Sequence, residues 1–225
     1  TNGATSNTLA KLNGMVSKIE VVDGSDVLHS LDGKEEQANN FYRHGILPFQ
    51  QLNSKAAGVV IEEFIVSFGR FRGDREYYLD TTKWKNAQLA ITHALTISGT
   101  AGFATGTGTL TVIAKLIEDG ALPYKGFIQS VEKKSWTTIA SGVETTILPR
   151  DFPYQSILVG DLETLIEPDV DLTNLKLIID SGRWIPFDLS TAIILAANME
   201  RYGHAKQRMN YLNDTAVTWL SDCYG

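Results

Sequence analysis

The chain has a single cysteine in 225 residues, Cys223, so no internal disulfide can hold its fold. A reducing place of assembly is compatible with that lone thiol. No run approaches the roughly 18 consecutive apolar residues that a membrane-crossing helix requires. Basic residues are outnumbered, 20 against 26 acidic, giving a formal charge of −6 and an isoelectric point near 5.2. This balance argues against a surface that coats nucleic acid, which needs clustered Lys and Arg to neutralise phosphates. Proline is scarce, and long helical periodicities between strands are missing, which disfavours Rossmann and TIM architectures. Whole-chain disorder is excluded by a hydrophobic content of 43%.

Catalytic signatures are lacking too. His29, His44, His93 and His204 fall in unrelated stretches, with no HExxH and no paired cysteines, so each reads as structural or surface. Ser141, in ASGVE, is a turn residue rather than part of a GxSxG elbow. Cys223 lies in the terminal stretch, outside any structured electropositive pocket that would make it a reactive thiolate. The GTGT run at 106–109 leads into a strand pattern and no GK[ST] follows, so it is a connection and not a phosphate cradle. Arg72-Gly73-Asp74 spells an adhesion tripeptide, yet Gly-Asp is what a turn prefers. The acidic loop with Asp161, Glu163, Glu167, Asp169 and Asp171 offers oxygen ligands for structural calcium without the spacing of the twelve-residue calcium loop. A solvated loop is the plainer reading, and no cofactor is expected.

What is present is β-rich. The stretch 59–97, VVIEEFIVSFGRFRGDREYYLDTTKWKNAQLAITHALTI, reads as strand, polar turn, short strand, loop and strand. Before it, Val16–Val22 and Val27–Leu31 flank Asp23-Gly24, a hairpin signal. KEEQANNFYRH, 34–44, is the first expected helix: Asp32 caps it, Glu35 and Glu36 sit in its first turn, and Gly45 stops it. Further strands are expected at Leu110–Ile117, Gly126–Ile139, Val143–Leu148, Gln155–Gly160, Leu175–Ile179 and Arg183–Asp188. Ile193 and Ile194 continue either a strand or the start of a helix. In the tail, Met209, Leu212, Ala216, Val217 and Leu220 recur at three- and four-residue spacings that suit an amphipathic helix. About ten strands with regular turn signals predict an all-β antiparallel sandwich. The expected division is a polar N-terminal arm over 1–14, a β-sandwich over 15–200, and a tail over 201–225 that packs on the domain or on a neighbour.

The blocks FIVSFGRFRGDREYYLDTTKWKNAQLAI, GFIQSVEKKSWTTIASGVETTILPRDFPYQSILV and DLTNLKLIIDSGRWIPFD carry a resemblance. Phe68-Gly-Arg70, Leu79-Asp-Thr-Thr82, Leu89–Leu95, Ile147-Leu-Pro149, Tyr154 and Ile157–Gly160 resemble the jelly-roll coat proteins of tailless icosahedral membrane-containing double-stranded-DNA viruses, the corticovirus-like and sphaerolipovirus-like group. The likeness covers about residues 15–200 and is one of strand and turn style. It implies a single elaborated jelly-roll β-sandwich with a short helix, and a structural protein of a bacteriophage-type virion with no enzymatic activity. The implied partners are further copies of the chain in a capsomer, other capsid or spike proteins, and the internal viral membrane or its proteins, without direct sequence-specific nucleic-acid binding. The implied location is the capsid shell, after synthesis in the host cytoplasm.

Trp219, Leu220 and Tyr224 are the candidate interface residues, since aromatics favour interface cores. Trp84, Trp136 and Trp184 read as core or rim packing. Two other readings come from different classes: a receptor- or carbohydrate-binding β-sandwich such as a spike or lectin domain, and a cupin-like enzyme, which would need a histidine cluster.

Overall fold

The computed structural model describes residues 12–53, 59–95, 108–118, 123–137, 141–160, 168–203, 206–212 and 218–224. The chain divides into two units, 1–149 together with 205–225, and 150–204. The expected N-terminal arm lies almost wholly outside the described residues.

The first unit starts from the expected hairpin. Strand β1, Val16–Asp23, pairs antiparallel with β2, Asp26–Leu31, with Ile19 opposite Leu31, Val21 opposite His29, and a bulge between Val21 and Val22. Alternation in β1 sends Ile19 and Val21 inward, and they are buried with Leu28 and Leu31. Helix α1, Gly33–His44, forms where the caps require it. The Asp32 side chain accepts from Glu35 N at 2.7 Å and the Glu35 carboxylate accepts from Asp32 N at 2.9 Å, a reciprocal capping box. At the other end Gly45 adopts φ 70° and closes onto the Phe41 carbonyl, a conformation that costs glycine nothing.

Strands β3, Gln50–Asn53, β4, Ile61–Glu62, β5, Ala87–His93, and β6, Ser130–Val131, follow in the chain. One four-stranded sheet has the order β5-β1-β2-β6. The tail gives β9, Lys206–Leu212, and β10, Thr218–Tyr224, and a second sheet runs β10-β9-β3-β4. The second unit contains the short helix α2, Pro168–Asp171, the hairpin β7, Asn174–Ile179, with β8, Trp184–Ser190, and helix α3, Thr191–Tyr202. The hairpin connection, Asp180-Ser181-Gly182, holds three successive positive φ values. Lys176 and Asp188 form an exposed ion pair across it at 2.7 Å.

The fold is mainly β, as the strand and turn patterning predicts, and the sequence expectation is corrected in four places. The tail is a strand pair, not a helix: β9 lies parallel to β3 and antiparallel to β10. The three- and four-residue spacing of its apolar residues gave way to pairing partners and to the strand preference of Tyr211, Thr218, Trp219 and Tyr224. Two ladders, β2–β6 and β3–β9, run parallel, so the sheets are mixed and not purely antiparallel. Leu110–Ile117, Val143–Leu148 and Gln155–Gly160 join no ladder among the described residues, and they are exposed rather than buried. An apolar run alone does not reveal whether its own chain supplies a neighbour to cover it. Finally, Trp136 and Trp184 are exposed and not core residues, Trp136 lying under the Lys134 ammonium at 5.5 Å, while Trp84 packs edge-on against Phe127 at 5.8 Å. The apolar stretch at Ile193 resolves as helix α3.

Replacing Asp32 with Ala removes one half of the capping box and is expected to lower the unfolding free energy by about 1 kcal/mol, read from urea titrations of the two proteins.

Candidate functional site

Helix α1 turns an unusual stripe toward the sheet. Its buried side chains are Glu36, Gln37 and Asn40, all polar. Burying polar groups is tolerated when they find partners. Here Glu36 and the side-chain amide nitrogens of Gln37 and Asn40 do, whereas Gln37 Oε1, Asn40 Oδ1 and His29 Nδ1 are buried without a hydrogen-bond partner among the described residues. Glu36 and His29, both without solvent exposure, meet at 2.7 Å through Oε2 and Nε2. Asn40 Nδ2 donates to Glu36 Oε1 at 2.8 Å and to the Ile65 carbonyl at 2.9 Å. Gln37 Nε2 donates to the Glu63 carbonyl at 2.9 Å and to Glu62 Oε1 at 3.2 Å, while Gln50 Nε2 reaches the same oxygen at 2.9 Å. Arg43 Nη1 donates to the Ser67 carbonyl at 2.6 Å, and its Nη2 to Ser130 Oγ at 3.1 Å. One helix is thereby tied directly to β2, β4, segment 63–67 and β6, and through Glu62 to β3.

Burial leaves its electrostatic mark around this helix. Desolvation lowers the Arg43 pKa, against the opposing pull of Glu36. Desolvation likewise raises Glu35, and it lowers His44 together with the nearby Arg43 and Arg72 charges. The His29–Glu36 pair has the composition of a general acid–base dyad, but its zero exposure denies a substrate access, so its role is that of a clamp.

The second cluster is the 69–77 turn. Arg70 Nε donates to Asp74 Oδ2 at 2.7 Å and Nη2 donates to Oδ1 at 2.9 Å, a bidentate fork. The backbone amides of Arg70, Glu76 and Tyr77 donate to the same carboxylate at 3.0, 3.0 and 3.3 Å. The Arg70 guanidinium stacks 4.6 Å from the Tyr77 ring centroid and also reaches Glu76 at 2.8 Å, which Lys125 pairs from the other side at 2.7 Å. A Cβ on Gly69 would lie 2.8 Å from the Tyr77 carbonyl oxygen, so only glycine lets the turn close. The Arg70 fork and the three amides hold the Asp74 carboxyl far below the usual carboxylate range. Asp74 is 4% exposed, so the acidic member of the Arg72-Gly73-Asp74 tripeptide is engaged inside the turn and does not face a receptor.

The other candidates are dispersed. Asp161 and Glu163 lie outside the described residues, as does Glu167; Asp169 is exposed on α2, whose last residue is Asp171. Among the described residues no three His, Cys, Asp or Glu side chains gather to hold a metal ion. Trp219, Leu220 and Tyr224 lie on β10, opposite Tyr211, Asn210 and Lys206 of β9. His44 is half-buried beside Arg43, His93 ends β5, and His204 lies outside the described residues. The sequence reading missed both clusters. Their signal was a helix with Glu36, Gln37 and Asn40 where an apolar stripe belongs, and a Gly-bounded turn with Arg and Asp four residues apart. Comparison with protein-family models, curated proteins and solved structures gives no match.

Glu36→Ala leaves the buried His29 Nε2 without its partner and removes one acceptor of Asn40 Nδ2, and should reduce stability by about 3–5 kcal/mol in urea unfolding followed by circular dichroism. Asp74 sets a pH dependence. Its folded pKa is depressed, so its contribution is complete above the unfolded value near 4 and disappears as pH falls through the folded value. Thermal melts between about pH 5 and pH 2 should therefore show a steeper loss of stability for the native chain than for Asp74→Asn.

Proposed function

We propose that this chain is a structural subunit of an icosahedral viral capsid, an elaborated single jelly roll that works by forming interfaces and not by catalysis. The observation that carries this reading is a set of exposed apolar side chains. Ile113 and Leu116 are 83% and 81% exposed, and Val143 and Ile147 92% and 89%, on segments that pair with no described strand. A soluble monomer rarely leaves such β-branched stretches uncovered, whereas a shell subunit buries them against its neighbours. The mainly β architecture with a tightly clamped helix supports the reading, because a shell needs rigid bodies whose loops and ends are free to specialise. Neighbouring copies, other capsid or spike proteins and the virion's internal membrane are the partners it entails, with the mature location in the virion shell.

The test is assembly of the full chain. Size-exclusion chromatography with light scattering, followed by electron microscopy, should reveal capsomers, sheets or shells. Hydrogen exchange at 110–117 and 143–148 should slow on assembly. A protein that stays monomeric at every concentration and with virion partners added, and that binds a glycan array, would overturn the proposal in favour of the receptor-binding sandwich.

A further inference from the structure

Strand β5 is an edge of its sheet among the described residues, and it lacks the devices that usually protect an edge. Over its seven residues, AQLAITH, it has no proline, no Lys, Arg, Asp or Glu, and no bulged residue of its own. Gln88, Leu89, Ala90, Thr92 and His93 are exposed.

The hydrogen-bond phase of this edge follows from two bonds outside the ladders. Glu132 N donates to the Ser30 carbonyl, so Ser30 faces β6 and its neighbours His29 and Leu31 face β1. Alternation then turns Glu20 toward β5, and Ala90 toward β1. Ala94 N donates to the Met15 carbonyl, which gives the same phase from the other end of the strand. The amides and carbonyls of Ala87, Leu89, Ile91 and His93 therefore point outward.

The side chains of these same residues share the sheet face of Ile19 and Val21. Two rows cross that face, Leu31–Ile19–Ile91 and His29–Val21–Leu89, and both are cut off at the edge, where Leu89 is 42% exposed.

We propose that β5 pairs antiparallel with β5 of a second copy about a two-fold axis through Ala90. Residue sums of 180 then set Leu89 opposite the second copy's Ile91, and Ala87 opposite its His93, each pair using only outward-facing amides and carbonyls. Both apolar rows run on without a break into the second copy, and the two sheets become one of eight strands. With no ionisable acid or lysine in the paired region, the two copies meet without like-charge repulsion. A shift of the axis to Leu89 or Ile91 keeps the face but breaks one row, setting Ile91 against Ala87 or Leu89 against His93. The partner is thus another molecule of the same chain, and the contact holds whether or not the chain builds a shell.

Engineered cysteines read out the register. Ala90 is opposite itself in a non-hydrogen-bonded pair, where Cα atoms stand about 4.5 Å apart, within reach of a disulfide. Gln88 is opposite Thr92, so two copies of residue 88 are four residues out of step, about 13 Å apart. In a Cys223→Ser background, Ala90→Cys should give a covalent dimer on non-reducing gels under copper–phenanthroline and oxygen, while Gln88→Cys and Thr92→Cys should not. Leu89→Lys should move the unlinked chain toward monomer in sedimentation velocity by at least tenfold in dissociation constant, with its circular dichroism unchanged. Equal cross-linking at 88, 90 and 92, or none at 90, would overturn the pairing even if Leu89→Lys failed to fold. Shells that form without a link at 90 would overturn it and leave the capsid reading intact. A 90-linked dimer that never grows further would do the reverse.

Discussion

A carboxylate sealed from water beside an imidazole is the constraint that the first unit is built around. Glu36 cannot be left alone in that environment, and neither can His29, so β2 and α1 hold a single relative position or pay a desolvation cost of several kcal/mol. Asn40 extends the demand to the Ile65 carbonyl, and Gln37 to Glu62 and Glu63. Such a network contributes less net stability than an apolar core of equal volume, but it rejects near-miss packings that greasy side chains would tolerate. The buried apolar side chains among the described residues are Ile19, Val21, Leu28, Leu31 and Pro48, so specificity of position falls largely to polar contacts.

The turn at 69–77 repeats this logic at the surface. Arg70 and Asp74 satisfy each other and the local amides, and Glu76 passes the connection to Lys125. Segment 123–128 runs alongside, with Lys125, Tyr78 and Ile128 amides bonded to Glu76, Gly126 and Phe68 carbonyls. Aromatic edges from His29 through Phe68 and Phe127 to Trp84 continue the path. The clamp under α1 and the turn are therefore the two ends of one connected patch.

Local signals were legible in the sequence because they are satisfied locally. The Asp23-Gly24 hairpin, the Asp32 cap with Glu35, the Gly45 stop and the strands at 175–179 and 184–188 all depend on residues within a few positions of one another. What was not legible depends on distant partners. Nothing within Lys206–Leu212 announces that Gln51–Asn53 will lie beside it, and nothing within Leu110–Ile117 announces that no described strand will. The buried network was hidden for the same reason: Glu36 looked like a first-turn residue complementing the helix dipole until His29 was placed against it.

The parallel seam between β2 and β6 has a temporal side. Ser30 and Val131 are paired across a hundred residues of intervening chain, and Gln129 reaches back to the Val27 carbonyl over a similar distance. Closing so long a loop costs entropy before any contact rewards it, and two residues of ladder reward it little. The hairpin, the capped helix and the turn can each form as soon as they leave the ribosome, while the last strand of that sheet must wait for residues 130 and 131. An emerging chain thus presents β2 with an unclosed edge while about a hundred further residues are made.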